Sequence, residues 1–168
     1  MVGKKEKYIA HFNEVYDKTF FAVRRFVALK CGDIDDIPDI IQEVYLEYYK
    51  MISKKGLSYA ENEEALLIAI AKRKLFRYYG KKQSFLNLDD MEEDIDGSFD
   101  ERLIDGLEAE RIWAIIEKEP REVRKIFYLA FFEEMSHSQI AEALGCSVSN
   151  VKNKIYRTIK RIRSEEKV

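Results

Sequence analysis

Apolar residues recur at three- and four-residue spacing along most of the chain, which is the period of an amphipathic helix and not the alternation of a strand. Ile9, Phe12, Tyr16, Phe20, Val23, Phe26 and Val27 trace one long helix. A second is expected over about residues 38–51, with Asp35 or Asp36 as N-cap and Pro38 in the first turn, where a missing N–H is tolerated. A third covers about 63–79. Periodicity then stops, and the stretch 81–106, rich in Asp and Ser, reads as a linker. It resumes over about 107–118, 120–133, 138–144 and 149–163. The expected fold is all-α: two small helical domains at 1–82 and 107–168 joined by an acidic linker at 83–106, the second domain a helix-turn-helix.

The chain has 168 residues, 36% charged and 46% apolar, enough for one ordinary domain or two small ones. Cores that small are marginal, so docking on a partner is expected to add stability. No apolar run approaches the roughly 20 residues of a membrane span, and no signal-type block follows the charged start, so a cytoplasmic protein with no membrane association is expected. Cys31 and Cys146 have no cysteine neighbours, and both are expected to serve as small core hydrophobes, with neither a disulfide nor a metal site.

The net charge of -2 hides a strong segregation. Between Lys72 and Lys82 there are six cations and no acid, and between Gly145 and Arg163 six more, again with no acid. Acids gather at 33–39 and between the two basic segments. Two separate anion-seeking surfaces on one chain can hold one polyanion at two points.

The most specific motif runs from Ser138 to Ile155. Ala141 is the small residue where two helices cross, Gly145 supplies the left-handed turn, Cys146 tucks under it, and Ser147 can cap the second helix. Val151, Ile155, Ile159 and Ile162 form that helix's inner face. Its outer face carries Ser149, Asn150, Lys152, Asn153, Lys154 and Arg157, of which Asn and Lys can address base edges while Arg and Lys neutralise phosphates. The bland alternative is a helical hairpin with a solvated basic face.

Within residues 67–82 the cations Lys72, Arg73, Lys74, Arg77 and Lys81 are interleaved with Phe76, Tyr78 and Tyr79, a mixture that suits single-stranded nucleic acid. Phe76 and Tyr79 are either stacking rings or core. On the helix from Pro38, Ile40, Ile41, Val44, Tyr45 and Tyr48 share one side, and Asp39, Gln42 and Glu43 the other. Leu46 falls among these carboxylates, either as part of a contact surface for a basic partner or covered by another helix.

In this order the elements resemble the extracytoplasmic-function group of sigma factors over nearly the whole chain. Residues 36–45 (Asp-Ile-Pro-Asp-Ile-Ile-Gln-Glu-Val-Tyr) resemble the family's polymerase-docking helix, residues 67–75 its minus-ten melting helix, and residues 119–127, 135–145 and 147–157 its minus-thirty-five domain. The resemblance implies a non-enzymatic initiation factor without cofactor. Asp36, Asp39, Gln42, Glu43 and Leu46 would meet the clamp coiled coil of core RNA polymerase, and the apolar surface of the C-terminal lobe its flap. The linker would thread the RNA exit path. Lys72, Arg73, Lys74, Arg77, Tyr78 and Lys81 would hold the melted minus-ten strand, and an anti-sigma protein is a further implied partner. The chain departs from the family pattern at Leu66 (usually Trp), Arg73 and Arg77 (usually Asn and Asp), Glu119 (usually Leu) and Glu134 (usually Gly).

An enzyme lacks its parts here. His11 and His137 are far apart, with His137 expected as a polar surface residue, and there is no phosphate-cradling glycine loop or nucleophile elbow. A calcium loop starting at Glu92 fails because its twelfth position is Leu103. The remaining rival is a helix-turn-helix regulator that binds duplex DNA through its C-terminal lobe alone.

Overall fold

The computed structural model describes residues 3–80 and 109–166. The chain divides into two compact units, Met1–Phe85 and Leu86–Val168. The described residues form seven α-helices and one short 3-10 turn, with no strand among them. Lys81, the linker at 83–106 and the run from Glu92 to Leu103 lie outside the described residues.

The first unit packs α1 (Lys4–Lys30), α2 (Ile37–Lys55) and α3 (Glu63–Tyr79) against one another. Its core follows the faces the periodicity predicts, except that Ile9 is 41% exposed and Ile52 extends the α2 face past its expected end: Val23 and Val27 of α1, Ile40, Val44, Tyr48 and Ile52 of α2, and Leu67, Ile70 and Leu75 of α3 are all buried. Each such side chain contributes about 1.5–3 kcal/mol by leaving water. Beside this core an aromatic layer joins Phe12 and Tyr16 of α1 to Tyr45, Tyr48 and Tyr49 of α2. The Thr19 hydroxyl donates to the Val15 carbonyl at 2.6 Å, so the Tyr45 hydroxyl, 2.8 Å away, donates to Thr19. Burial pushes the Tyr45 phenol up to about 12, which keeps it a neutral donor.

The ends of α3 fall where the sequence places them. Asn62 accepts from the Ala65 amide at 3.0 Å, and Gly80 takes the positive φ of 77° that stops the helix. At the start of α2 the N-cap is Asp36, one of the two residues expected there, but its side chain makes no capping hydrogen bond. Asp33, not Asp35 or Asp36, uses its carboxylate as a cap, holding the Asp35 amide at 3.1 Å in a 3-10 turn (Ile34–Asp36) that leads into α2. Asp36 occupies the cap position without capping, because its carboxylate accepts from the Tyr79 hydroxyl at 2.5 Å.

The second unit contains α4 (Ala109–Ile116), α5 (Arg121–Phe131), α6 (His137–Leu144) and α7 (Val148–Glu166). α7 lies against α5 and α6, and α4 packs on α5. Ile112, Ile116, Ile126, Phe127, Leu129, Met135 and Ile140 meet Val151, Ile155, Ile159 and Ile162 in the buried interior. α6 begins one residue earlier than its period suggests. Ser136 accepts from the Gln139 amide at 3.1 Å while Gln139 accepts from the Ser136 amide at 3.0 Å, a reciprocal cap that satisfies two end donors.

The turn between α6 and α7 is built as expected. Gly145 has φ 66° and ψ 35°, and the Cys146 amide reaches back to the Ala141 carbonyl at 3.0 Å, while Ser147 accepts from the Asn150 amide at 3.1 Å. Cys31 is buried, but Cys146 is only half-buried, so of the two cysteines only Cys31 is a core hydrophobe.

The joint between α5 and α6 is strained. Glu134 has φ 50°, the only non-glycine residue in the left-handed region among the described residues, and the Met135 amide beyond it closes on the Leu129 carbonyl at 3.0 Å. This is the position where the resembled family usually has Gly. Glu134→Gly should therefore raise the stability of this unit by about 1 kcal/mol, since a side chain in that conformation costs roughly that much. Urea unfolding followed through Trp113, the only tryptophan, measures it; an unchanged or lower midpoint means that the turn is not strained.

Candidate nucleic-acid interface and docking face

On α7, burial of Val151, Ile155, Thr158, Ile159 and Ile162 leaves the opposite side to solvent. Ser149, Asn150, Lys152, Asn153 and Arg157 are all exposed there. Lys154 is not free among them. Its ammonium lies 2.6 Å from Glu122 at the start of α5, and seven residues further on Arg161 pairs with Glu119. Lys154 and Arg161 thus form one edge of α7 that is held by Glu122 of α5 and by Glu119, the residue before Pro120. Glu119, where the resembled family usually has Leu, is kept almost covered by that pairing. Tyr156, not singled out by the sequence, is 48% exposed on the open side, between Lys152 and Lys160. Its position three residues beyond Asn153 is the signal that would have placed it there.

His137 is buried as the first residue of α6, and is not the surface residue expected. Desolvation, helped by the charge of Lys152, holds its imidazole below its ordinary 6.5. The unfolded chain therefore takes the proton more readily. The stability owed to neutral His137 is complete above pH 6.5 and is lost as the pH falls below it and through the folded-state value. The second unit should lose stability on acidification from pH 7 to 5, by more than a His137→Gln variant does, with Trp113 fluorescence as the readout. Identical pH slopes for the two proteins would contradict this.

On α3, Lys72, Arg73 and Arg77 are exposed and Phe76 is 45% exposed, so Phe76 is not core. Tyr79 has the opposite fate. Its ring packs on Gly32, where a Cβ would come within 3.0 Å of it, and its hydroxyl is tied to Asp36. Tyr78 stays 39% exposed and donates to Glu43 at 3.1 Å. Lys74 is largely covered and lies 2.9 Å from Glu47.

On α2, Asp39, Gln42 and Leu46 form an exposed stripe, and Leu46, at 51% exposure, is not covered by another helix of its unit. Glu43 does not belong to that open stripe. It turns toward α3, 2.9 Å from Arg77 and 3.7 Å from Lys74, while Glu47 takes Arg73 at 2.5 Å as well as Lys74. These cations hold the Glu47 carboxyl below its ordinary range, the hydrogen bond from Lys74 being the largest cause. Glu47 is the residue sequence reasoning missed. Its only signal was the four-residue step from Glu43, matched by the same step between Arg73 and Arg77.

No helix among the described residues is long and apolar enough to cross a membrane, and none of their His, Cys, Asp and Glu groups is arranged to hold a metal ion.

Residues 109–162, from α4 to within α7, match the family of sigma-70 region 4. No curated protein matches the chain. Among solved structures, the chain is similar to the sigma factor RpoE in complex with the anti-sigma factor NepR from Bartonella quintana, with 18% identity over 94% of this chain and 97% of that one and a TM-score of 0.41. It is also similar to a chain of an RsbN-BldN complex, with 15% identity over 91% and 89% and a TM-score of 0.35. The turn-linked pair α6 and α7 thus lies, but for the last residues of α7, within the stretch of the second unit that is similar to sigma-70 region 4.

Proposed function

We propose that this chain carries core RNA polymerase to promoters by the division of labour its surfaces suggest, with domain limits near 1–82 and 107–168. α7 reads the minus-thirty-five duplex with Ser149, Asn150, Lys152, Asn153 and Arg157, while Lys154, held by Glu122, serves at the edge of that face. α3 follows the melted minus-ten strand with Lys72, Arg73, Arg77 and Tyr78, and with Lys81 beyond it. Asp36, Asp39, Gln42, Glu43 and Leu46 dock on the clamp coiled coil. The flap is met by the aromatic surface where Trp113 stacks on Phe132, ring centroids 5.1 Å apart, with Phe132 47% exposed.

The observation that carries this reading is the two-sidedness of α7. Val151, Ile155, Ile159 and Ile162 on its apolar side are buried, and its opposite side presents two cations, two amides and a hydroxyl that are exposed among the described residues. The chain acts by binding in the cytoplasm, with no reaction and no cofactor of its own. An anti-sigma protein would restrain it.

Reconstitution tests the reading. The purified chain and core polymerase should form a stoichiometric complex that starts transcription at sites matching those mapped after overexpression. Lys72→Glu with Arg77→Glu should keep the complex and duplex binding but lose promoter opening. A regulator acting through its C-terminal lobe alone would instead bind duplex DNA unaided and initiate nothing.

A further inference from the structure

Four polar side chains in the second half of α3 end on two carboxylates of α2 a single turn apart. Glu43 takes Arg77, Tyr78 and, more distantly, Lys74; Glu47 takes Arg73 and Lys74. Lys74 is only 15% exposed, so its bridge also serves to pack the two helices. Arg73 and Arg77 are 63% and 66% exposed, and their guanidinium groups sit at the rim of the unit with carboxylates where phosphates would otherwise lie. Bridges that exposed are individually weak and yield to a competitor of higher charge density. Glu43 is also next to the open stripe of Asp39, Gln42 and Leu46, which is where a basic partner would arrive.

Resting on the function proposed above, we infer that Glu43 and Glu47 are a charge latch: in the free protein they occupy the strand-binding cations of α3, and a basic partner that engages Glu43 releases Arg77 and Tyr78 for the strand. One carboxylate cannot serve both at full strength. A cationic partner drawing on Glu43 weakens its hold on Arg77, and a phosphate drawing on Arg77 leaves Glu43 open to the partner. The two binding events therefore favour each other, as reciprocal linkage requires. The consequence is a protein that grips single-stranded DNA poorly alone and well once docked.

Glu43→Gln with Glu47→Gln in the full chain opens the latch without removing a cation. Binding to a fluorescent single-stranded oligonucleotide, in the absence of polymerase, should tighten about tenfold. Two further cations reaching phosphates should also steepen the salt dependence by about 1.4 in the log–log slope. Asp17→Asn with Glu61→Gln makes the same change of charge at exposed sites away from this cluster and should show neither effect. Equal affinities and slopes for the two variants overturn the latch. Should the first variant fold poorly, Arg73→Ala with Arg77→Ala tests the same linkage from the other side. It frees the carboxylates and should raise affinity for core polymerase several-fold without DNA, where an unchanged or lower affinity overturns the idea. If opening depends on Lys72 and Arg77 but neither gain appears here, the strand surface stands and the latch falls; if opening is indifferent to them, the strand surface itself falls.

Discussion

Lys152→Glu with Arg157→Glu abolishes promoter-directed transcription, by more than about a hundredfold, and leaves binding to core polymerase unchanged. Both side chains stand on the open side of α7, while the residues that hold the helix in place, Val151, Ile155 and Ile159, face inward. Reversal therefore spares the fold and changes only the field that DNA meets. Each lost cation removes a phosphate or base contact, and each carboxylate put in its place repels the backbone. A single wrong base pair in a specific site costs about 1–3 kcal/mol, so two reversals exceed a hundredfold. Run-off transcription with matched titration of polymerase measures both halves. Undiminished transcript would show that α7 is not the recognition helix.

The second large effect is expected on α2. Asp39→Lys with Leu46→Asp should weaken affinity for core polymerase by about a hundredfold and leave binding of the chain to duplex DNA intact. A half-exposed leucine beside a carboxylate is the kind of anchor whose loss costs 2 kcal/mol or more at an interface. Asp39 and Leu46 are better targets than Glu43, although all three lie on one helix. Glu43 is engaged by Arg77, Lys74 and Tyr78, so a lysine there would disturb α3 as well as the partner. Fluorescence titration of labelled chain against polymerase reads the result. Retained affinity would place the docking face elsewhere.

Helix positions were legible because they depend on nearby residues. Asn62 and Gly80 bound α3 by local hydrogen bonding and backbone freedom, and Gly145 with Ser147 builds the turn ahead of α7. The inward stripe of α7 follows from its own period, so its outward residues could be named without knowing what it packs on.

Periodicity says which residues share a face but not which group the opposing helix brings to it. The bridges from Arg73 to Glu47 and from Arg77 to Glu43 join residues 26 and 34 positions apart, and only the way α2 and α3 pack sets their register. The same holds for Lys154 with Glu122, and for the Tyr79 ring resting on Gly32. Composition and spacing by themselves determined that this is a helical protein with two basic segments, a helix-turn-helix pattern and a helix with an acidic, partly apolar face. Tertiary packing alone decided which cations remain open to DNA and which are already held by carboxylates, because ion pairing depends on a few ångströms of separation that no one-dimensional pattern contains.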